Sequence, residues 1–106
     1  LFVFNNGPVG INQISSEVPS EYSLEQNYPN PFNPSTVIRY SLIENRLTNL
    51  KIYDLNGREV ANLINENQNA GTYEIEWNAS RYSSGVYFYE LTAGNFRQTK
   101  RMLLIK

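Results

Sequence analysis

Beyond residue 36 the chain is organised with a period of two. In "VIRYSL", Ile38, Tyr40 and Leu42 share one face while Val37, Arg39 and Ser41 share the other, the mark of a strand buried on one side. "TNLKIYDL" repeats the alternation through Leu50 and Ile52, and "REVANLI" follows almost at once. Between them Asp54-Leu55-Asn56-Gly57 predicts a tight hairpin, with Asn-Gly supplying the positive φ that such a turn needs. "TYEIEWN" sets Tyr73, Ile75 and Trp77 against Glu74 and Glu76 on the opposite face. "GVYFYEL" is apolar on both faces, Tyr87, Tyr89 and Leu91 against Val86 and Phe88, which predicts a strand inside its sheet. Gly94-Asn95 marks another two-residue hairpin, leading into "FRQTKRMLLIK". Residues 65–71, "NENQNAG", lack periodicity and predict an exposed loop. No stretch carries a capped 3.6 period. With a short extended piece at Tyr22–Leu24, about seven strands separated by turn signals predict an all-β fold, a two-sheet sandwich.

The first 21 residues differ in kind. "LFVF" is apolar and β-prone, and residues 1–6 read as an orphan strand or the end of an upstream domain, able to pair with this domain or a neighbouring copy. Residues 7–21 mix Gly, Pro, Ser and Asn with few large apolar groups and read as a linker, leaving residues 22–106 as the domain. Leu1 in place of Met, with no signal-peptide pattern after it, fits a piece of a longer protein.

Between linker and alternation stands "NYPNPFNP": Asn27, Tyr28, Pro29, Asn30, Pro31, Phe32, Asn33 and Pro34. Each proline fixes φ and lacks a donor, and the residue before each is pushed out of the helical region. Such a backbone has little freedom left to lose, so ordering it costs little. Tyr28 and Phe32 supply apolar area to hold it down. The segment is therefore predicted to be an ordered lead-in that plugs one end of the sandwich, with both aromatics buried.

Composition narrows the chemistry. The chain has no Cys and no His, which removes thiol nucleophiles, zinc sites of the usual kind and any His-based triad. A net charge of −1 and scattered basic residues lack the footprint of a nucleic-acid binder, and no apolar run is long enough to span a bilayer. No cofactor is implied. Glu74 and Glu76 share a strand face and could imitate a catalytic carboxylate pair, but nothing near them suggests a pocket, so they read as surface groups and no residue is assigned a catalytic role. "DLNG" reads as a turn rather than a calcium loop, whose remaining ligands are missing. Asn78-Ala79-Ser80 matches the glycosylation sequon, a short pattern of low specificity. Trp77 shares the parity of Tyr73 and Ile75 and reads as core, while Tyr28, Phe32 and Tyr82 are better placed for a contact surface.

Five blocks, "QNYPNPFNPST.I.Y.L", "LKIYDLNGREVANL", "GTYEIEWN", "SGVYFYEL" and "TKRMLLIK", together resemble the C-terminal sorting domain of type IX secretion cargo, the type A Por-secretion tail of Bacteroidetes and related phyla. The resemblance runs from about Tyr22 to Lys106, with the blocks in the family's order. It implies an immunoglobulin-like, seven-stranded antiparallel sandwich, and a non-catalytic address that takes an attached protein across the outer membrane to the cell surface or the medium. It also implies partners: the outer-membrane secretion machinery and a sortase-like peptidase that removes the domain. The family's terminal block falls on Thr99, Lys100, Arg101, Met102, Leu103, Leu104, Ile105 and Lys106. Asn78 stands where relatives often carry Asp, and "IENR" lacks a proline common there; neither change is expected to alter the address. In residue terms, the continuous apolar run Met102–Ile105 predicts an interior strand with basic ends, open to a receptor that reads it or its neighbouring edge by β-addition. Two further classes stay open on sequence: a fibre subunit pairing through residues 1–6, and a carbohydrate-binding module using exposed aromatics.

Overall fold

The computed structural model describes residues 11–106, and the orphan-strand reading of residues 1–6 lies outside them. Eight strands follow in order: β1 (Asn12–Ser15), β2 (Ser23–Leu24), β3 (Ser35–Leu42), β4 (Arg46–Tyr53), β5 (Glu59–Gln68), β6 (Gly71–Asn78), β7 (Gly85–Ala93) and β8 (Phe96–Leu104). They form two four-stranded sheets, β1-β6-β3-β2 and β5-β4-β7-β8, with every pairing antiparallel. Among the described residues there is no helix.

The period-two faces close on each other. Ile38, Tyr40, Leu42, Tyr73, Ile75 and Trp77 of the first sheet meet Leu50, Ile52, Tyr87, Tyr89, Leu91, Met102 and Leu104 of the second in one buried cluster. Aromatics fill much of it: Tyr40 stacks on Tyr73 at 5.4 Å, and Trp77 sits within 6 Å of the rings of Phe32, Tyr82 and Tyr87. Trp77 is thus core, as its parity predicts, and is not available as a sugar platform. The buried polar tips are matched. Tyr40 donates to Gln68 Oε1 at 2.6 Å, and burial pushes its phenol well above the ordinary range.

The sequence reading needs correcting in four places. Asn12–Ser15, within the stretch taken as linker, pairs with the outer edge of β6, so the strands number eight rather than about seven. Residues 65–68, taken as loop, belong to β5 and pair with residues 46–49; a sheet edge tolerates their polarity. In the β4–β5 turn only Gly57 has positive φ (84°), and its N–H donates to Asp54 O at 3.0 Å: a type I turn closed by a glycine bulge rather than a two-residue Asn-Gly turn. Last, β8 is the edge of its sheet, not an interior strand. The two-residue turn at Gly94-Asn95 and the interior position of β7 agree with expectation.

Candidate recognition surface

An edge strand leaves every second backbone unit unpaired. For β8 the chain itself supplies the cover. Tyr22 stacks on Phe96 at 5.0 Å, Gln26 Nε2 donates to Arg101 O at 2.7 Å, and Leu103 N donates to Asn30 Oδ1 at 3.0 Å. Phe32 then bridges β8 in parallel, its N–H donating to Leu103 O and its carbonyl accepting from Ile105 N, both at 3.0 Å. Both numberings rise together, so residues 22–32 run alongside β8 in the same direction. On its other flank the same segment joins β3: Glu25 N donates to Arg39 O, and Tyr28 and Val37 exchange both backbone bonds at 2.9–3.0 Å. The lead-in therefore closes the open side of the sandwich, tying an edge of one sheet to an edge of the other. The lead-in thus already occupies outward backbone groups of Arg101, Leu103 and Ile105 along this edge.

What holds the lead-in differs from what its aromatics suggest. Phe32 is 2% exposed and packs on Trp77 at a centroid distance of 5.9 Å, but Tyr28 is 80% exposed. Pairing with Val37 on the outer face turns the Tyr28 side chain outward, so the prediction of two buried aromatics holds for one. In place of Tyr28 the anchor is Asn27, which is 2% exposed. Its Nδ2 donates to Thr36 Oγ1 at 2.9 Å and to Pro29 O at 3.2 Å, its Oδ1 accepts from Gln26 Nε2, and its N–H donates to the Tyr89 hydroxyl at 2.8 Å. Tyr89 OH donates onward to Glu25 O at 2.7 Å, and its burial raises the phenol pKa to about 12. Nothing local in "QNYP" reveals this role. The available signal was Tyr89 itself, since a core-facing Tyr must place its hydroxyl on a partner. All three X-Pro bonds of the lead-in, at Pro29, Pro31 and Pro34, are cis.

The terminal block divides by face. Met102 and Leu104 are buried, and Lys100 shares their parity. Thr99, Arg101 and Leu103 project from the outer face, and Ile105 and Lys106 lie beyond the strand, also exposed. Lys106 donates through its backbone N–H to Ser84 Oγ at 2.9 Å and through Nζ to Ser80 O at 2.6 Å, pinning this end of the chain to the β6–β7 loop. Thr99 donates to Glu90 Oε2 at 3.3 Å, beside the Arg97–Glu90 ion pair at 3.6 Å. A cleft of about 300 Å³ opens where the two motifs meet, lined by Asn30, Pro31, Val86, Arg101, Met102 and Leu103. A larger one of about 610 Å³, between the Asp54–Arg58 turn and the loop at residues 81–84, contains no residue of either motif. Of the other suggested contact aromatics, Phe32 is buried, and Tyr82 packs on Trp77 and Tyr87 while donating to Val60 O at 2.9 Å.

The family description "secretion system C-terminal sorting domain" matches residues 26–106, which span lead-in, body and terminal block. The chain belongs to that family. Sorting domains of this kind are type IX secretion signals, and membership implies secretion to the cell surface or extracellular space and interaction with the secretion machinery. A solved structure of PorZ, described as an essential bacterial surface component of the type-IX secretion system of Porphyromonas gingivalis, is similar to this sorting domain at 25% identity with a TM-score of 0.55. The likeness covers 80% of this chain and 11% of PorZ, so the sorting domain spans about a tenth of that protein's length. No curated protein matches the chain. Among the described residues no helix is long and apolar enough to cross a membrane.

Proposed function

We propose that this sorting domain is a non-catalytic export address, read as a folded body by the outer-membrane secretion machinery, that carries an attached protein across the outer membrane and is then removed by a sortase-like peptidase. In fold it is read as an immunoglobulin-like sandwich to which β1 adds a strand. One observation carries the functional reading: Asn30–Phe32 and Leu103–Ile105, more than 70 residues apart, form one hydrogen-bonded unit at the surface. A linear tag would not need its two halves joined. The acidic pair supports an inert body, since Glu76 is exposed and Glu74 is engaged with Arg39 at 2.9 Å on the outer face of the first sheet.

The test is export of a periplasmic reporter fused ahead of residues 11–106 in a host with type IX secretion. The reporter should reach the surface or the medium, and removal of residues 99–106 should retain it in the periplasm. Equal export of a reporter carrying residues 99–106 alone would overturn the reading as a folded address.

A further inference from the structure

The outer face of the second sheet changes character along its length. At one end the cross-strand rows are Val86–Leu103 and Tyr53–Phe88–Arg101; the next row is Lys51–Glu90–Thr99, and beyond it Asn49–Thr92–Arg97. The face thus runs from apolar to charged to polar, and its apolar end borders the cleft between Pro31 and Leu103. Leu103 is 36% exposed and Ile105 49%, beside half-buried Val86 and Phe88 and exposed Pro31. Charge is uneven along the sequence as well. Residues 91–106 hold four cations and no acid, while residues 1–90 hold five cations and ten acids. Arg97 is spent on Glu90 and Lys106 on Ser80, but Arg101, at the rim of the cleft, makes no ion pair among the described residues. Its backbone is fixed, because Gln26 holds its carbonyl.

Resting on the reading as an export address, we propose that this cleft seats an apolar side chain of an acidic, extended segment in a partner protein, with the Arg101 guanidinium taking a neighbouring carboxylate. The cleft walls come from lead-in, β7 and β8, so the seat exists only while the lead-in is docked. An apolar anchor fits because Val86, Leu103 and Pro31 present apolar surface to the cleft, with Asn30 and Arg101 as its polar side chains. An acidic flank suits the cleft because Arg101 at its rim makes no ion pair among the described residues and would attract a carboxylate and repel a basic segment. Arginine suits the carboxylate because its planar fork can bind both oxygens.

The experiment is a ¹⁵N-HSQC titration of the full chain with the capped peptide Glu-Glu-Leu-Glu-Glu. Capped Gln-Gln-Leu-Gln-Gln and Glu-Glu-Gly-Glu-Glu serve as controls. Shifts should concentrate on the amides of Val86, Arg101 and Leu103. Affinity should fall about tenfold without the leucine, as expected for one buried apolar side chain. It should fall several-fold without the carboxylates and weaken with salt. Arg101→Glu, an exposed position whose spectrum should otherwise match the parent, should remove binding. Shifts located elsewhere, equal binding of the glycine peptide, or indifference to Arg101→Glu would each overturn the proposal. Reporter export is scored independently: export without peptide binding discards the acidic partner and keeps the export address, and binding without export does the reverse.

Discussion

Replacing Phe32 by Ala removes the only lead-in ring that the structure buries. The side chain is 2% exposed and its partner is Trp77, so the change falls in the range of about 3–5 kcal/mol measured for Phe→Ala in cores. The lead-in is a surface segment that can lift away rather than leave a cavity, which caps the loss near what docking contributes. Three backbone-involving hydrogen bonds, Leu103 to Asn30 and the pair through Phe32, are at stake at roughly 0.5–1.5 kcal/mol each. The first route gives about 3–5 and the second about 1.5–4.5 kcal/mol, which overlap around 3–4 kcal/mol, a large share of the roughly 5–15 kcal/mol typical of a domain. At about 4–8 °C per kcal/mol for this size, Tm should fall by about 12–32 °C. Differential scanning calorimetry gives the shift. Hydrogen exchange gives its location, since the amides of Leu103 and Ile105, which donate into the lead-in, should lose protection first. Tyr28→Ala is the internal control: at 80% exposure it should stay within about 0.5 kcal/mol of the parent. A loss below about 1 kcal/mol for Phe32→Ala, or equal losses for the two variants, would refute the claim that Phe32 locks the lead-in.

Two other perturbations test separate parts of the structure. Because burial lifts the Tyr89 phenol from 10.0 to about 12, the folded chain keeps a proton that the unfolded chain releases. That contribution is complete below pH 10 and fades as pH climbs to about 12. Urea melts across this window should show a falling midpoint, with a shallower fall for Tyr89→Phe; identical slopes would remove Tyr89 from the account. At Gly71, with φ of +148°, an added Cβ would meet the Gln13 side chain and lie 2.6 Å from Ser15 O. Gly71→Ala should therefore expel β1, seen as lost amide protection at residues 12–15 with the two-sheet core retained, at a backbone cost of about 1–3 kcal/mol. Protection unchanged there would show that β1 is not held where the structure puts it.

Burial was legible where apolar side chains recur at period two, and illegible where hydrogen bonds did the holding, as at Asn27 and along β1. β3, β4, β6 and β7 announce themselves because Ile38, Leu50, Ile75 and Leu91 recur at period two and all end in the core. β1 carries three exposed side chains out of four, so it leaves no hydrophobic pattern and is attached through backbone pairing. The same holds for residues 65–68 on the edge strand β5. At the candidate recognition surface both motifs were visible as words but not as a pair, since no local pattern says that Asn30 reaches Leu103. Met102–Ile105 misled because a continuous apolar run ordinarily means cover on both faces. Here Leu103 and Ile105 remain outside, Leu103 lining the cleft, and that departure from pattern is more informative than the pattern itself.

The parallel alignment of residues 22–32 with β8 has a consequence for the timing of export. The lead-in is made first, but the strand it must lie against arrives some 70 residues later. A nascent or truncated chain can pair β4 with β5 and still lack the joined surface. Docking thus requires that synthesis has passed residue 105, so the joined surface forms only after both of its strands of sequence have been made.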